Sequence, residues 1–190
     1  MPYRILVADD DPIIRMDLKQ QLEALGHIVH AEAGDGEQAI AMTREFKPDI
    51  VLMDVRMPVM DGIDAAQALH KDGLAPVVLL TAFGNSETIQ RAAHAGVYGY
   101  LGKPFSSRDV MPTLEIALSR FQENLALESE VKTLEERLET RKLVERAKGI
   151  LMDLYNLKEP DAFKRIQDQS MNSRKTMREV AEAILLAHGD

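Results

Sequence analysis

The chain has 190 residues, 45% of them apolar, a formal net charge of -8 and no cysteine. That length suits one large domain or two small ones. No apolar segment approaches the roughly 20 residues of a membrane-spanning helix, and disulfides, thiolate metal sites and cysteine nucleophiles are excluded. The charge is uneven: residues 1–140 carry 13 basic against 23 acidic side chains, residues 141–190 carry 10 against 8. This pattern implies an acidic body and a mildly basic tail with different partners. A surplus of two is far below the basicity of a dedicated duplex-DNA module. The expected compartment is the cytoplasm, with no membrane partner. The short run Ile5-Leu6-Val7-Ala8, which ends in three acids, reads as a strand and not as a targeting segment.

Up to about residue 119, short apolar runs near 3–8, 28–33, 50–53, 76–80 and 98–101 alternate with amphipathic stretches near 12–25, 36–46, 62–71, 86–95 and 107–119. Strands separated by helices of this length predict an α/β fold, a doubly wound parallel sheet of five strands covered on both faces. Gly26 closes the first helix, Gly34-Asp35-Gly36 turns into the second, and Pro58 with Asp61-Gly62 punctuates the loop after the third strand.

From Ser107 onward the pattern is wholly helical. Leu114, Leu118, Phe121 and Leu125 repeat at spacings of four, three and four, and after a phase slip Leu127, Val131, Leu134 and Leu138 repeat the spacing. This predicts a short coiled-coil seam on a dimerising helical linker. Pro112 is tolerated only near a helix start, so the helix is expected to begin after Arg108. The last 50 residues read as a small all-α unit of three helices. The first, near 140–154, is expected to continue the linker; the others run from Pro160-Asp161 onward and from Arg174 to Ala187. Leu143, Ala147, Ile150 and Leu151 are expected to face Phe163, Ile166, Val180 and Ile184. The predicted division is 1–119, a linker at 120–139, and 140–190.

Two buried strands run out into carboxylates: β-like Ile5–Ala8 into Asp9-Asp10-Asp11, and Ile50–Met53 into Asp54. In doubly wound sheets, ligand sites lie beyond the carboxyl ends of the strands, at the switch point. An acidic pocket there can hold a divalent cation and present one aspartate as a nucleophile toward phosphorus. Thr81 ends the fourth strand run and Lys103 follows the fifth. A lysine and a cation offset charge on phosphoryl oxygens, and a threonine hydroxyl can donate to one. Two bare carboxylates about 4 Å apart repel by roughly 4 kcal/mol at an effective dielectric near 20, so such a pocket needs its cations.

Asp9-Asp10, Asp54 with Met57-Pro58 and Asp61-Gly62, Thr81-Ala82 and Lys103-Pro104 together resemble the receiver domains of two-component response regulators over residues 1–120. The resemblance implies a flavodoxin-like fold and a regulatory protein, not an enzyme. Asp54 would be the phospho-acceptor from a sensor histidine kinase. Asp9, Asp10, Asp54 and the Arg56 backbone carbonyl would hold Mg2+. Thr81, Ala82 and Lys103 would meet the phosphoryl group, Tyr100 would act as an aromatic switch, and Lys103-Pro104 would be cis. Arg56 and Phe83 are expected to shield the phosphoryl group from water. Gly102 is smaller than the family's usual residue there.

Ala147-Lys148-Gly149-Ile150-Leu151-Met152, with Ala162-Phe163 and Ser170-Met171, resembles the ANTAR domain of transcription antitermination regulators over about 135–187. That implies an RNA-binding three-helix module recognising paired hairpins in a leader transcript. Lys148, Arg165, Ser170, Asn172, Arg174, Lys175 and Arg178 are the expected contacts, with Gly149 permitting close approach. Ser170, Asn172 and Arg174 are expected beside the positive end of the third helix. The expected assembly is a phosphorylation-dependent homodimer joined by a parallel linker pair. The alternatives are a DNA-binding transcriptional response regulator, an aspartyl phosphatase built on Asp9 and Asp11, and a protein-interaction adaptor. Against the phosphatase, Pro12 stands where Gly-Thr is expected.

Overall fold

The computed structural model describes residues 2–82, 90–92 and 94–188. Five strands, β1 (Arg4–Ala8), β2 (Ile28–Ala33), β3 (Ile50–Asp54), β4 (Val77–Ala82) and β5 (Gly99–Lys103), form one parallel sheet in the order β2-β1-β3-β4-β5. The order reverses between β1 and β3, so their carboxyl ends flank the switch-point crevice. Every residue of β3 is buried, as expected for a central parallel strand covered on both faces.

Alternation along the strands divides the core in two. Leu6, Ala8, Val51, Met53 and Leu79 face α2 (Gly36–Phe46) and α3 (Gly62–Asp72). Ile5, Val7, Ile50, Leu52 and Leu80 face α1 (Pro12–Ala24) and the start of α4 (Ser107–Tyr155). Asp11, Asp35 and Asp61 cap α1, α2 and α3 with their carboxylates. Of the helix expected near 86–95, residues 90–92 and 94 are helical. Ala95 is a turn residue, and 86–89, residue 93 and Phe83 lie outside the described residues.

The helix near 107–119, the linker and the 140–154 helix expected to continue it form the single helix α4. It starts at Ser107, so Pro112 lies inside it, against expectation. The start is held by Ser106, whose N–H and Oγ donate to Asp109 Oδ2 at 3.1 and 2.7 Å. This local cap outweighs the one backbone bond that proline removes.

The chain divides into two units, Met1–Ala126 and Leu127–Asp190, within α4. In the first, most of the Leu114 register packs on its own unit: Leu114 is buried, Leu118 packs beside it, and Phe121 meets Tyr98 edge-on at 5.2 Å, while Leu125 is exposed. In the second, Leu127, Val131, Leu134 and Leu138 are all more than half exposed.

The second unit adds α5 (Glu159–Ser173) and α6 (Met177–His188). Its core is Val144, Ala147, Leu151, Ala162, Ile166, Val180 and Ala181. Leu143 and Ile184 pack against that core, but Ile150 does not join it and Phe163 is 41% exposed. The helices are turned so that small Ala162 meets the neighbouring helices. The helix expected from Arg174 begins at Met177, because Thr176 and Glu179 form a reciprocal cap. Glu179 Oε2 accepts Thr176 N and Oγ1 at 2.7 and 2.8 Å, and Glu179 N donates back to Thr176 Oγ1 at 3.2 Å. Among the described residues no helix is long and apolar enough to cross a membrane.

Candidate functional site

The ends of β1, β3 and β5 bring Asp9, Asp54 and Lys103 together. Lys103 Nζ donates to Asp9 Oδ2 at 2.6 Å and to Asp54 Oδ1 at 2.5 Å. Asp9 is 1% exposed and Asp54 8%, so two buried carboxylates share one ammonium. Burial works to lower the Lys103 pKa, but hydrogen bonds and charge from Asp54 and Asp9 outweigh it and hold it above the ordinary lysine value.

The remaining carboxylate oxygens are tied to backbone. Asp9 Oδ1 accepts Asp11 N at 2.9 Å and Asp54 Oδ2 accepts Arg56 N at 2.8 Å. Arg15 Nη1 donates to the Asp9 carbonyl at 2.6 Å, a support that sequence reading missed. Gly62 lies under the acceptor: a Cβ there would stand 1.9 Å from the Asp54 carbonyl oxygen. Its own N–H donates to Val55 O at 2.9 Å. Between them, Val59 adopts φ +66°, and Met60 N donates to Pro58 O at 2.7 Å, closing a γ-turn of the rare positive-φ kind.

The other predicted residues are placed as follows. Asp10 is exposed, and no cluster of three or more acidic or histidine side chains suited to a metal occurs among the described residues. Thr81 pairs with Gly102 and Ala82 with Lys103 across β4–β5. Thr81 Oγ1 donates to Ala82 O at 3.4 Å, not to Asp54. Tyr100 is 40% exposed, and partial burial raises its hydroxyl pKa. Lys103-Pro104 is cis.

The response regulator receiver domain model matches residues 5–115, and the ANTAR domain model matches residues 132–185. The transcriptional regulatory protein PdtaR of Mycobacterium tuberculosis is 52% identical over 185 residues, 97% of this chain and 90% of PdtaR. This chain is a response regulator carrying an ANTAR domain. The chemotaxis protein CheY of Halobacterium salinarum is 35% identical over 63% of the regulator and 99% of CheY. The signal receiver domain of a modulated diguanylate cyclase from Desulfovibrio desulfuricans G20 matches with a TM-score of 0.61 at 28% identity, covering 65% of the regulator and 99% of that domain. The regulator has the flavodoxin-like receiver fold and is a regulatory protein, not an enzyme.

The donor set of the receiver pocket fits Mg2+. It offers only hard oxygens, and that ion is commonly held by one or two carboxylates, the rest of its shell being water and phosphate oxygen. Asp9 and Asp54 are the buried pair, and Asp10 is the adjacent exposed carboxylate.

In the regulator's ANTAR domain the expected contact residues separate. Lys148 is 6% exposed and bonded to Glu145 at 3.0 Å and Glu159 at 2.7 Å, which raise its pKa. Its ammonium ties α4 to α5 through Glu145 and Glu159. Ser170 and Asn172 occupy the last turn of α5, and Arg174 caps it at φ +55°. They therefore lie at the carboxyl end of α5 and on the short connection that leads into the Thr176 cap of α6. Ser170 Oγ donates to Lys175 O at 2.6 Å. Arg178 pairs with Glu182 at 2.9 Å. Nothing lies within 4 Å of a Cβ built on Gly149, so intrachain packing does not require that glycine.

Proposed function

We propose that Asp54 accepts a phosphoryl group from a sensor histidine kinase and that this controls RNA binding by the ANTAR domain. The observation that carries the reading is the ammonium of Lys103 within hydrogen-bond reach of both Asp9 and Asp54. An Asp54 oxygen attacks phosphorus, the O–P bond forms as the N–P bond of the phosphohistidine breaks, and the electron pair returns to that nitrogen, so the imidazole leaves neutral with the proton already on its other ring nitrogen. Lys103 then pairs with the new phosphoryl oxygens, and Arg56 N–H continues to hold the acceptor. Asp9, Asp10, Asp54 and the Arg56 carbonyl would hold Mg2+, which would supply compensation for developing negative charge. Thr81 turns its hydroxyl toward the phosphoryl group, beside which Ala82 leaves room, and Tyr100 moves inward.

The output is recognition of leader-transcript hairpins and transcription antitermination in the cytoplasm. Arg165, Ser170, Asn172, Arg174, Lys175 and Arg178 contact RNA, Gly149 lets it approach, and Lys148 shapes the surface. Receiver, linker and output correspond to 1–119, 120–139 and 140–190. The exposed Leu127, Val131, Leu134 and Leu138 stripe joins two chains, and two linked modules gain avidity for two hairpins. Switching from 1:99 to 99:1 requires about 5.5 kcal/mol of differential stabilisation. The test is binding of twin-hairpin RNA, with duplex DNA as competitor, by wild type and Asp54→Asn with and without acetyl phosphate. The donor is expected to tighten RNA binding by wild type alone. Equal affinity in all four states would defeat the gating.

A further inference from the structure

We infer that the ANTAR domain holds a pocket for one unpaired nucleobase, centred on Tyr155 and Arg165. The inference rests on the RNA-binding reading and goes beyond it by naming the subsite and its ligand.

A groove of about 310 Å³ opens where the end of α4 meets α5 and α6. Its floor is apolar, formed by Leu151, Val180 and Ile184. One wall is the Tyr155 ring, 48% exposed, with the Arg165 guanidinium carbon 4.1 Å from its centroid. Gln169 and Lys175 also line it. An aromatic ring with a guanidinium over it is a surface on which a splayed-out base stacks, and single-stranded RNA is read on such surfaces. The volume is at the low end for small-molecule sites, room for one heterocycle and not for a helix face.

The charges select the occupant. Lys148 and Arg178 are neutralised by glutamates, whereas Arg165 and Lys175 form no ion pair among the described residues. The one carboxylate in the lining, Glu179, accepts from Thr176 at the α6 cap and feels the Lys175 charge without forming an ion pair with it. The Gln169 amide makes no side-chain hydrogen bond among the described residues and offers both donor and acceptor to a base edge. Apolar floor, stacking wall, free amide and two unpaired cations match a nucleotide in an RNA loop better than an apolar protein segment.

The test uses the full chain with acetyl phosphate and a pool of hairpin RNAs sharing one stem, with a randomised loop, from which the tightest binder is selected. Each loop position of that binder is then made abasic. One position is expected to cost wild type about tenfold in affinity, the scale of one base–aromatic stack. Tyr155→Ala should lose the same factor on the intact hairpin and nothing more on the abasic one. Tyr155→Phe should keep near-wild-type affinity. Gln169→Ala, an exposed change that leaves the core intact, should relax base preference at that position alone. Independent, additive losses for Tyr155→Ala and every abasic site would overturn the pocket while leaving RNA binding intact. The pocket is equally overturned if Tyr155→Ala changes only the sedimenting mass, which would mark the groove as a contact between copies. If the pool yields no binder, the RNA reading itself falls and the pocket with it.

Discussion

Gly62 and Asp54 are in backbone contact across the loop that follows β3: a Cβ on Gly62 would sit 1.9 Å from the Asp54 carbonyl oxygen and 3.0 Å from its carbonyl carbon. Backbone cannot rotate away as a side chain can. Gly62→Ala should therefore displace the acceptor loop, lowering stability by roughly 1–3 kcal/mol, the usual range for overpacking. Urea denaturation measures the first effect. The rate of Asp54 phosphorylation by acetyl phosphate measures the second, and it should fall as well. An alanine variant with wild-type stability and rate would show that the loop has slack.

Lys103 offsets two buried carboxylates, so Lys103→Met should destabilise the receiver by about 2 kcal/mol near neutral pH, less than a fully buried broken pair because the lysine is partly exposed. The pH dependence has a definite sign. The folded-state pKa of Lys103 is raised, so its contribution is fully present below the free lysine value of about 10.4 and is lost as pH rises through the higher folded value. The stability difference between wild type and Lys103→Met should be flat from pH 7 to 9 and shrink above pH about 10.5. A difference that grows with alkalinity would contradict the pairing.

Val59 is β-branched, 77% exposed and held at φ +66°. Left-handed backbone costs such a residue about 1–2 kcal/mol, and glycine's extra chain entropy returns part of any gain. Val59→Gly should raise stability by roughly 0.5–1 kcal/mol, read as a higher denaturation midpoint at unchanged m-value. Loss of stability would mean that the Val59 side chain makes a contact worth more than the strain.

Lysines of the output domain should divide by pairing. Removing the unpaired Lys175 (Lys175→Ala) should weaken RNA binding and reduce the slope of log affinity against log salt by about one. Lys148→Met removes a bridge between α4 and α5. It should lower the thermal midpoint of the output domain while leaving the salt slope unchanged. A slope change for Lys148→Met would return that residue to the RNA contacts.

Much of the receiver pocket was legible from residues alone. Runs such as Ile50–Met53 define buried parallel strands, and the rule that such strands converge at one rim places Asp9, Asp54 and Lys103 before any coordinate is known. The reciprocal cap was legible too, since Thr176 stands three residues before Glu179. Exposure was not legible where two registers share one helix. Leu114 and Leu134 have the same local spacing, yet one is buried by its own sheet and the other is exposed.

Periodicity, strand-end carboxylates and turn residues are local quantities, and these by themselves determined the α/β order, the acidic rim and the helical tail. The tertiary structure decided which charges are already paired, where Gly62 meets backbone, and which way each helix is turned. Those depend on neighbours brought together by packing: Glu159 reaching Lys148, Arg165 lying over Tyr155, and Ala162 in the core in place of Phe163. Pairing and burial are properties of distance in space, which spacing along a chain does not encode.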